Sequence, residues 1–81
     1  MSNRPKPAEV FPPGEFIDDE RRARKLTIDR LASQCGFTSE YMSRLISGEV
    51  PIKPHSAGAL AQAFGTSAEL WLNLQQSWDE R

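Results

Sequence analysis

The chain has 81 residues, with ten Lys and Arg, eleven Asp and Glu, one Cys and one His. That length holds one compact domain and excludes two separate cores or a large enzyme scaffold such as a TIM barrel or doubly wound sheet. The formal net charge of −1 argues against tight, non-specific binding to nucleic acid, so any DNA-binding face is a local patch on a near-neutral body.

Residues 1–13 contain four of the six prolines, at 5, 7, 12 and 13. Proline lacks a backbone donor and disfavours helix in the residue before it. The segment reads as a flexible, Pro-rich arm, with Val10 and Phe11 as candidates to dock on the body. Residues 14–81 read as one helical domain. The N-terminus is charged but has no apolar stretch after it, which is not a secretory signal. No apolar run approaches the roughly 20 residues of a membrane span.

The first helix is expected from Gly14 or Glu15 to about Lys25, with Phe16, Ile17, Glu20 and Ala23 on one face. Acidic residues crowd its start and basic residues its end, which complements the helix dipole. Asp18 with Arg22, and Glu20 with Arg24, are spaced to pair along it. Thr27 caps a second helix whose buried stripe is Ile28, Leu31, Ala32 and Cys35. Gly36 ends it by accepting a left-handed turn. Thr38 or Ser39 caps a third helix in which Tyr41, Met42, Leu45 and Ile46 recur at helical spacing, and Gly48 ends that helix. Val50 to Lys53 form an irregular loop. Pro54 suits the first turn of a fourth helix, with Ala57, Leu60, Ala61 and Phe64 inward and Gly65 at its end. Thr66-Ser67-Ala68-Glu69 has the form of a capping box and opens a fifth helix carrying Leu70, Trp71, Leu74 and Trp78. No strand pattern competes, so the fold class is all-α, with five helices around one core.

Leu31 to Ile46 contain the parts of a helix-turn-helix. Ala32 is small enough for two helices to cross closely, Gly36 turns the chain, Phe37 points back to the core and Thr38 caps the next helix. Met42 and Leu45 anchor that helix, so its opposite face is free. That face carries Ser39, Glu40, Ser43, Arg44 and Ser47, side chains that suit phosphates and base edges. Arg44 is the candidate base reader, because its fork bonds guanine in a bidentate way. An ion pair between Arg44 and Glu40 is the alternative use of the same residue. Lys53 and His55 sit at a loop-to-helix junction, where a helix N-terminus favours phosphate. Arg30 extends the patch, and Arg24 and Lys25 stand near it.

Trp71, Leu72, Leu74, Gln75 and Trp78 form the other feature to explain. Burial in the core accounts for Trp71 and Leu74. Trp78 has little chain left to cover it, and exposed tryptophan is enriched at binding centres. The group is read as a dimer interface, with contact to a second protein as the competing use.

The stretch from Leu26 to Gly48 resembles the Xre-type, phage-repressor-like helix-turn-helix. Pro12-Pro13-Gly14-Glu15-Phe16-Ile17 resembles the opening of the HigA-like antitoxins, with Pro12 where His is usual. Ile52 to Ala57, then Leu60 to Gln75 with its Trp71-Leu72-Asn73-Leu74-Gln75 run, is similar to that family's closing motif. The resemblance covers residues 12–78. It implies a five-helix, lambda-repressor-like domain that binds operator DNA near its own gene as a homodimer. It also implies neutralisation of a small ribonuclease toxin of the HigB/RelE type. The chain departs from the family pattern at Ile28, where Gln is common, and at Gly58, where a bulky apolar residue is usual. These departures and Glu40 motivate an alternative, a protein-interaction module that does not itself bind DNA. A phage-type regulator without a toxin partner is a further alternative.

The residues present no catalytic site. No acid/base pair, metal cluster or phosphate-cradling loop appears, and a structural zinc site needs about four Cys or His ligands. No cofactor is expected. A lone cysteine cannot form an intrachain disulfide, which points to a reducing, cytoplasmic setting.

Overall fold

The computed structural model describes residues 11–81. Its helices are α1 (Pro13–Ala23), α2 (Ile28–Cys35), α3 (Ser39–Ser47), α4 (Pro54–Phe64) and α5 (Ala68–Asp79). No strand occurs among the described residues. Val10 lies outside them, and Phe11, the other residue expected to dock, is 36% exposed.

Local chemistry sets most of the boundaries. The Thr27 hydroxyl accepts the Arg30 backbone N–H at 3.0 Å. The Thr38 hydroxyl does the same for Tyr41 at 3.1 Å, so each threonine satisfies an N–H left unpaired in the first turn. α2, α3 and α4 each end on a glycine with positive φ, at Gly36, Gly48 and Gly65. Beyond each, a backbone N–H returns to the last turn: Phe37 to the Ala32 carbonyl, Glu49 to Arg44, and Thr66 to Ala61. This is the Schellman closure.

α1 departs from expectation at both ends. It opens at Pro13 and stops at Ala23. Leu26 N–H returns to the Arg21 carbonyl at 3.0 Å, so the same closure forms with Lys25 in the left-handed position at φ 57°. Its inner face is Pro13, Gly14 and Ile17, with Phe16 half-buried, while Ala23 is exposed. The expected pairs do form: Arg22 reaches Asp18 at 3.2 Å, and Arg24 meets Glu20. Arg24 also donates to the Phe64 carbonyl at 2.9 Å and covers the Phe64 ring, which fastens α1 to α4.

The start of α5 also differs. Ser67, not Thr66, is the cap, and it accepts the Leu70 N–H at 3.1 Å. Thr66 is used instead as the acceptor for the Trp71 indole N–H at 2.8 Å. The expected capping box placed the cap one residue early, so Glu69 is not in its reciprocal position.

The core gathers Ile17, Leu31, Met42, Leu45, Leu60 and Trp71, all almost wholly buried. Each contributes roughly 1.5–3 kcal/mol by leaving water. α1 lies against α3 and α5, α2 against α3 and α4, and α4 against α5. Ile52 anchors the loop before α4. Its side chain is buried, and its N–H donates to the Gln75 side-chain oxygen at 2.9 Å. Ser56 is the one buried polar residue among those described. It is fully used, accepting the Lys53 N–H at 2.9 Å and lying 3.1 Å from the Lys53 carbonyl.

Candidate nucleic-acid interface

α3 is held from behind by Met42 and Leu45, both buried. Its other face is thereby turned outward, and Glu40, Ser43, Arg44 and Ser47 are exposed on it. Two contacts frame this face. The Ser39 hydroxyl donates to the Asp29 carboxylate, which joins the first turn of α3 to the first turn of α2. The Tyr41 hydroxyl shares a hydrogen bond with His55 Nε2 at 3.3 Å, which joins it to the first turn of α4. Three helix N-termini therefore converge around the exposed face, and unpaired N–H groups there favour anions.

The predicted residues lie along α3 and at the starts of α2 and α4. Thr38 caps α3 and Ser39 is half-buried against Asp29. Arg44 Nη2 lies 2.8 Å from Glu40 Oε2. The Ser47 hydroxyl lies 3.2 Å from both the Arg44 carbonyl and the Glu49 carboxylate. Ser43 makes no side-chain hydrogen bond among the described residues. Arg30 is exposed beside Asp29, and Lys53 and His55 are exposed at the start of α4.

The charges interleave. Along the chain Asp29, Glu40 and Glu49 alternate with Arg30, Arg44 and Lys53, and all six are exposed. The face is rich in donors and acceptors but carries little net positive charge. Such a surface favours matched hydrogen bonds over long-range attraction.

Two members of the frame escaped the sequence reading. Tyr41 fell into the apolar stripe by spacing. It is instead half-buried, with its ring edge-on to Phe37 at 5.0 Å and stacked near His55 at 6.2 Å. Phe37 is likewise half-buried and, as expected, packs back against the core. Asp29 had no sequence signal at all, since its partner Ser39 is ten residues away across a turn.

The α5 group stands apart from this face and divides. Trp71 is 1% exposed and bonded to Thr66, so it belongs to the protomer's core and offers no surface to a partner. Gln75 turns toward the Ile52 loop. Leu72, Leu74 and Trp78 are half-buried. Trp78 is better covered than its position suggests, because the Arg81 guanidinium stacks 3.5 Å above its ring centre. Leu70, which the sequence reading did not place in the interface, is 42% exposed.

No group of three or more His, Cys, Asp or Glu among the described residues is placed to hold a metal ion. Cys35 is alone, its thiol 3.8 Å from the Ala59 carbonyl. Burial pushes that thiol above its ordinary pKa. No helix among the described residues is long and apolar enough to cross a membrane.

The family described as "Helix-turn-helix domain" matches residues 14–73. The chain belongs to this helix-turn-helix family. It is 28% identical over 78 residues to the uncharacterized HTH-type transcriptional regulator YddM of Escherichia coli, covering 96% of this chain and 77% of that protein. An addiction module antidote protein of a HigA family from Coxiella burnetii is 29% identical with a TM-score of 0.79, over 88% of this chain and 78% of that one. The Pseudomonas aeruginosa antitoxin HigA, solved with the higBA promoter, is 25% identical with a TM-score of 0.82, again over 88% and 78%. The resemblance read from residues 12–78 thus agrees with the folded chain: an all-α helix-turn-helix domain whose structural neighbours are HigA-family antitoxins.

Proposed function

We propose that this helix-turn-helix protein is a sequence-specific DNA-binding autorepressor of the HigA antitoxin type. It binds operator DNA upstream of its own gene as a homodimer and neutralises a HigB/RelE-like ribonuclease toxin. The observation that carries the reading is the exposed outer face of α3, framed by the first turns of α2 and α4. The likeness to an antitoxin solved with its promoter supports it.

In this reading α3 enters the major groove with Ser39, Glu40, Ser43 and Arg44 at the bases. Thr38, Ser47, Arg30, Lys53 and His55 hold the phosphate backbone. Leu72, Leu74 and Trp78 on α5, joined by Leu70, supply the dimer contact, with Gln75 at its inner edge. A two-fold dimer sets two recognition helices about 34 Å apart, one turn of DNA. The helical body from residue 14 onward carries these surfaces, and the Pro-rich arm before it is a further contact for the toxin. The protein works by binding alone, within the cytoplasm, and is not an enzyme.

The test is fluorescence anisotropy with labelled DNA from upstream of its own gene, against scrambled DNA, at two salt concentrations. Selective binding that weakens with salt is expected, and Arg44→Ala should lose the sequence preference at the bases it reads. An Arg44→Ala protein as tight and selective as wild type would remove Arg44 from the bases.

The interleaved acidic residues favour a second reading, an interaction module that does not bind DNA. Stable complex formation with a toxin while operator fragments stay free would establish it. Deleting residues 1–11 then separates the surfaces: lost toxin binding with intact dimerisation assigns the arm to the partner. A protein that selects its operator but has no toxin partner would be a phage-type regulator.

A further inference from the structure

The Glu40–Arg44 pair is the densest chemistry on the exposed face of α3. The two residues lie one helical turn apart, and their side chains are 74% and 50% exposed. With Thr38 and Tyr41 they line a shallow recess on the surface. An exposed ion pair of this kind adds little to stability, so its placement calls for another account.

The carboxylate is the informative half. Lying against DNA, it meets either phosphates, which repel it, or base edges. A carboxylate only accepts hydrogen bonds. In the major groove, guanine offers only acceptors, thymine an acceptor and a methyl, and adenine a donor beside an acceptor. Cytosine alone offers a donor with no neighbouring acceptor. The guanidinium only donates, and guanine's adjacent N7 and O6 are its best match.

The spacing ties the two halves together. Arg44 Nη2 and Glu40 Oε2 are 2.8 Å apart. Guanine O6 and cytosine N4 of one base pair are hydrogen-bonded to each other, so they too are about 2.9 Å apart. The ion pair therefore presents a donor and an acceptor at the separation at which one G·C pair presents an acceptor and a donor. Arg44 keeps four of its five N–H groups for guanine while Glu40 holds it in place.

Resting on the DNA-binding reading above, we propose that Glu40 and Arg44 act as one unit that reads a single G·C base pair. Guanine lies under Arg44 and its own paired cytosine under Glu40. Glu40 is then a specificity residue, which rejects A·T at that position and keeps Arg44 off the phosphates. With adenine under Arg44, its amino group confronts the guanidinium and thymine offers the carboxylate no donor; with thymine under Arg44, the guanidinium loses the second acceptor that guanine N7 supplies, and adenine N7 faces the carboxylate.

The experiment is selection of binding sites from random-sequence duplexes by wild type, Glu40→Gln and Arg44→Ala, each checked for folding by circular dichroism. The wild-type site should hold a fixed G·C pair in each half. Glu40→Gln and Arg44→Ala should each lower the preference at that same pair by at least tenfold, leaving the other positions unchanged. Glu40→Gln should also bind scrambled DNA more tightly, since a negative charge is gone. Altered preferences at two different base pairs, or an unaltered site in Glu40→Gln, would overturn the shared readout while leaving DNA binding intact. If wild type enriches no sequence, the DNA-binding reading fails and this proposal with it. A purely structural role would change thermal stability in Glu40→Gln and leave the selected site as it was.

Discussion

A Cβ placed on Gly14 would stand 2.0 Å from the Ile46 carbonyl oxygen and 2.8 Å from that of Leu45. The first turn of α1 thus lies directly on the backbone of the last turn of α3. Only a residue without a side chain allows this approach. The contact also sets the positive end of one helix dipole against the negative end of another. Gly14 therefore helps to fix the tilt of the helix that carries Glu40 and Arg44.

Gly14→Ala should cost about 3 kcal/mol, because backbone and not a flexible side chain occupies the space. Chemical denaturation measures it. A variant as stable as wild type would mean that α1 and α3 can separate without loss.

Gly58 is the opposite case. It lies inside α4, and among the described residues nothing beyond its chain neighbours and the helix's own backbone comes within 4 Å of the position its Cβ would take. Gly58→Ala should stabilise the protein by about 0.5–1 kcal/mol through helix propensity and a less mobile unfolded chain. A thermal melt should show a rise of several degrees. A fall would reveal a neighbour on this face, such as a second protomer.

The Thr66–Trp71 hydrogen bond is buried at its indole end. Thr66→Val keeps the shape but strands the N–H, at a cost of about 1–3 kcal/mol. Thr66→Ser keeps an acceptor and should lose much less. Denaturation followed by tryptophan fluorescence separates the two, and equal losses would show that packing of the methyl group matters instead.

Cys35 gives the fold an alkaline limit. Burial raises its pKa above the ordinary 9.0, so on raising the pH the unfolded chain loses this proton first. The thiol's contribution is complete below the unfolded value and declines as pH rises toward the folded one. Wild type should lose more stability than Cys35→Ala between about pH 8 and pH 10. Parallel curves would show a thiol that ionises as freely in the fold as outside it.

The sequence by itself determined the five helices, most of their ends and the helix-turn-helix. These depend on neighbours in the chain. Thr27 and Thr38 cap N–H groups three residues on, Gly36, Gly48 and Gly65 take the turns that a side chain resists, and Leu31 with Ala32 and Cys35, Met42 with Leu45, and Ala57 with Leu60, Ala61 and Phe64 recur at helical spacing within their helices. It also named the outer face of α3, because a helix anchored by Met42 and Leu45 has only one side left. Tertiary structure decided what frames that face. Asp29 reaches Ser39 and His55 reaches Tyr41 only after the helices have crossed. It also decided that Trp71 serves the core and not the interface, since its acceptor, Thr66, is freed by Ser67 taking the cap. The approach of Gly14 to Ile46 joins residues 32 positions apart, and no periodicity or capping rule links them. Local rules act within a turn or two of chain, whereas a site is made by contacts between helices, which depend on how their surfaces fit together in three dimensions.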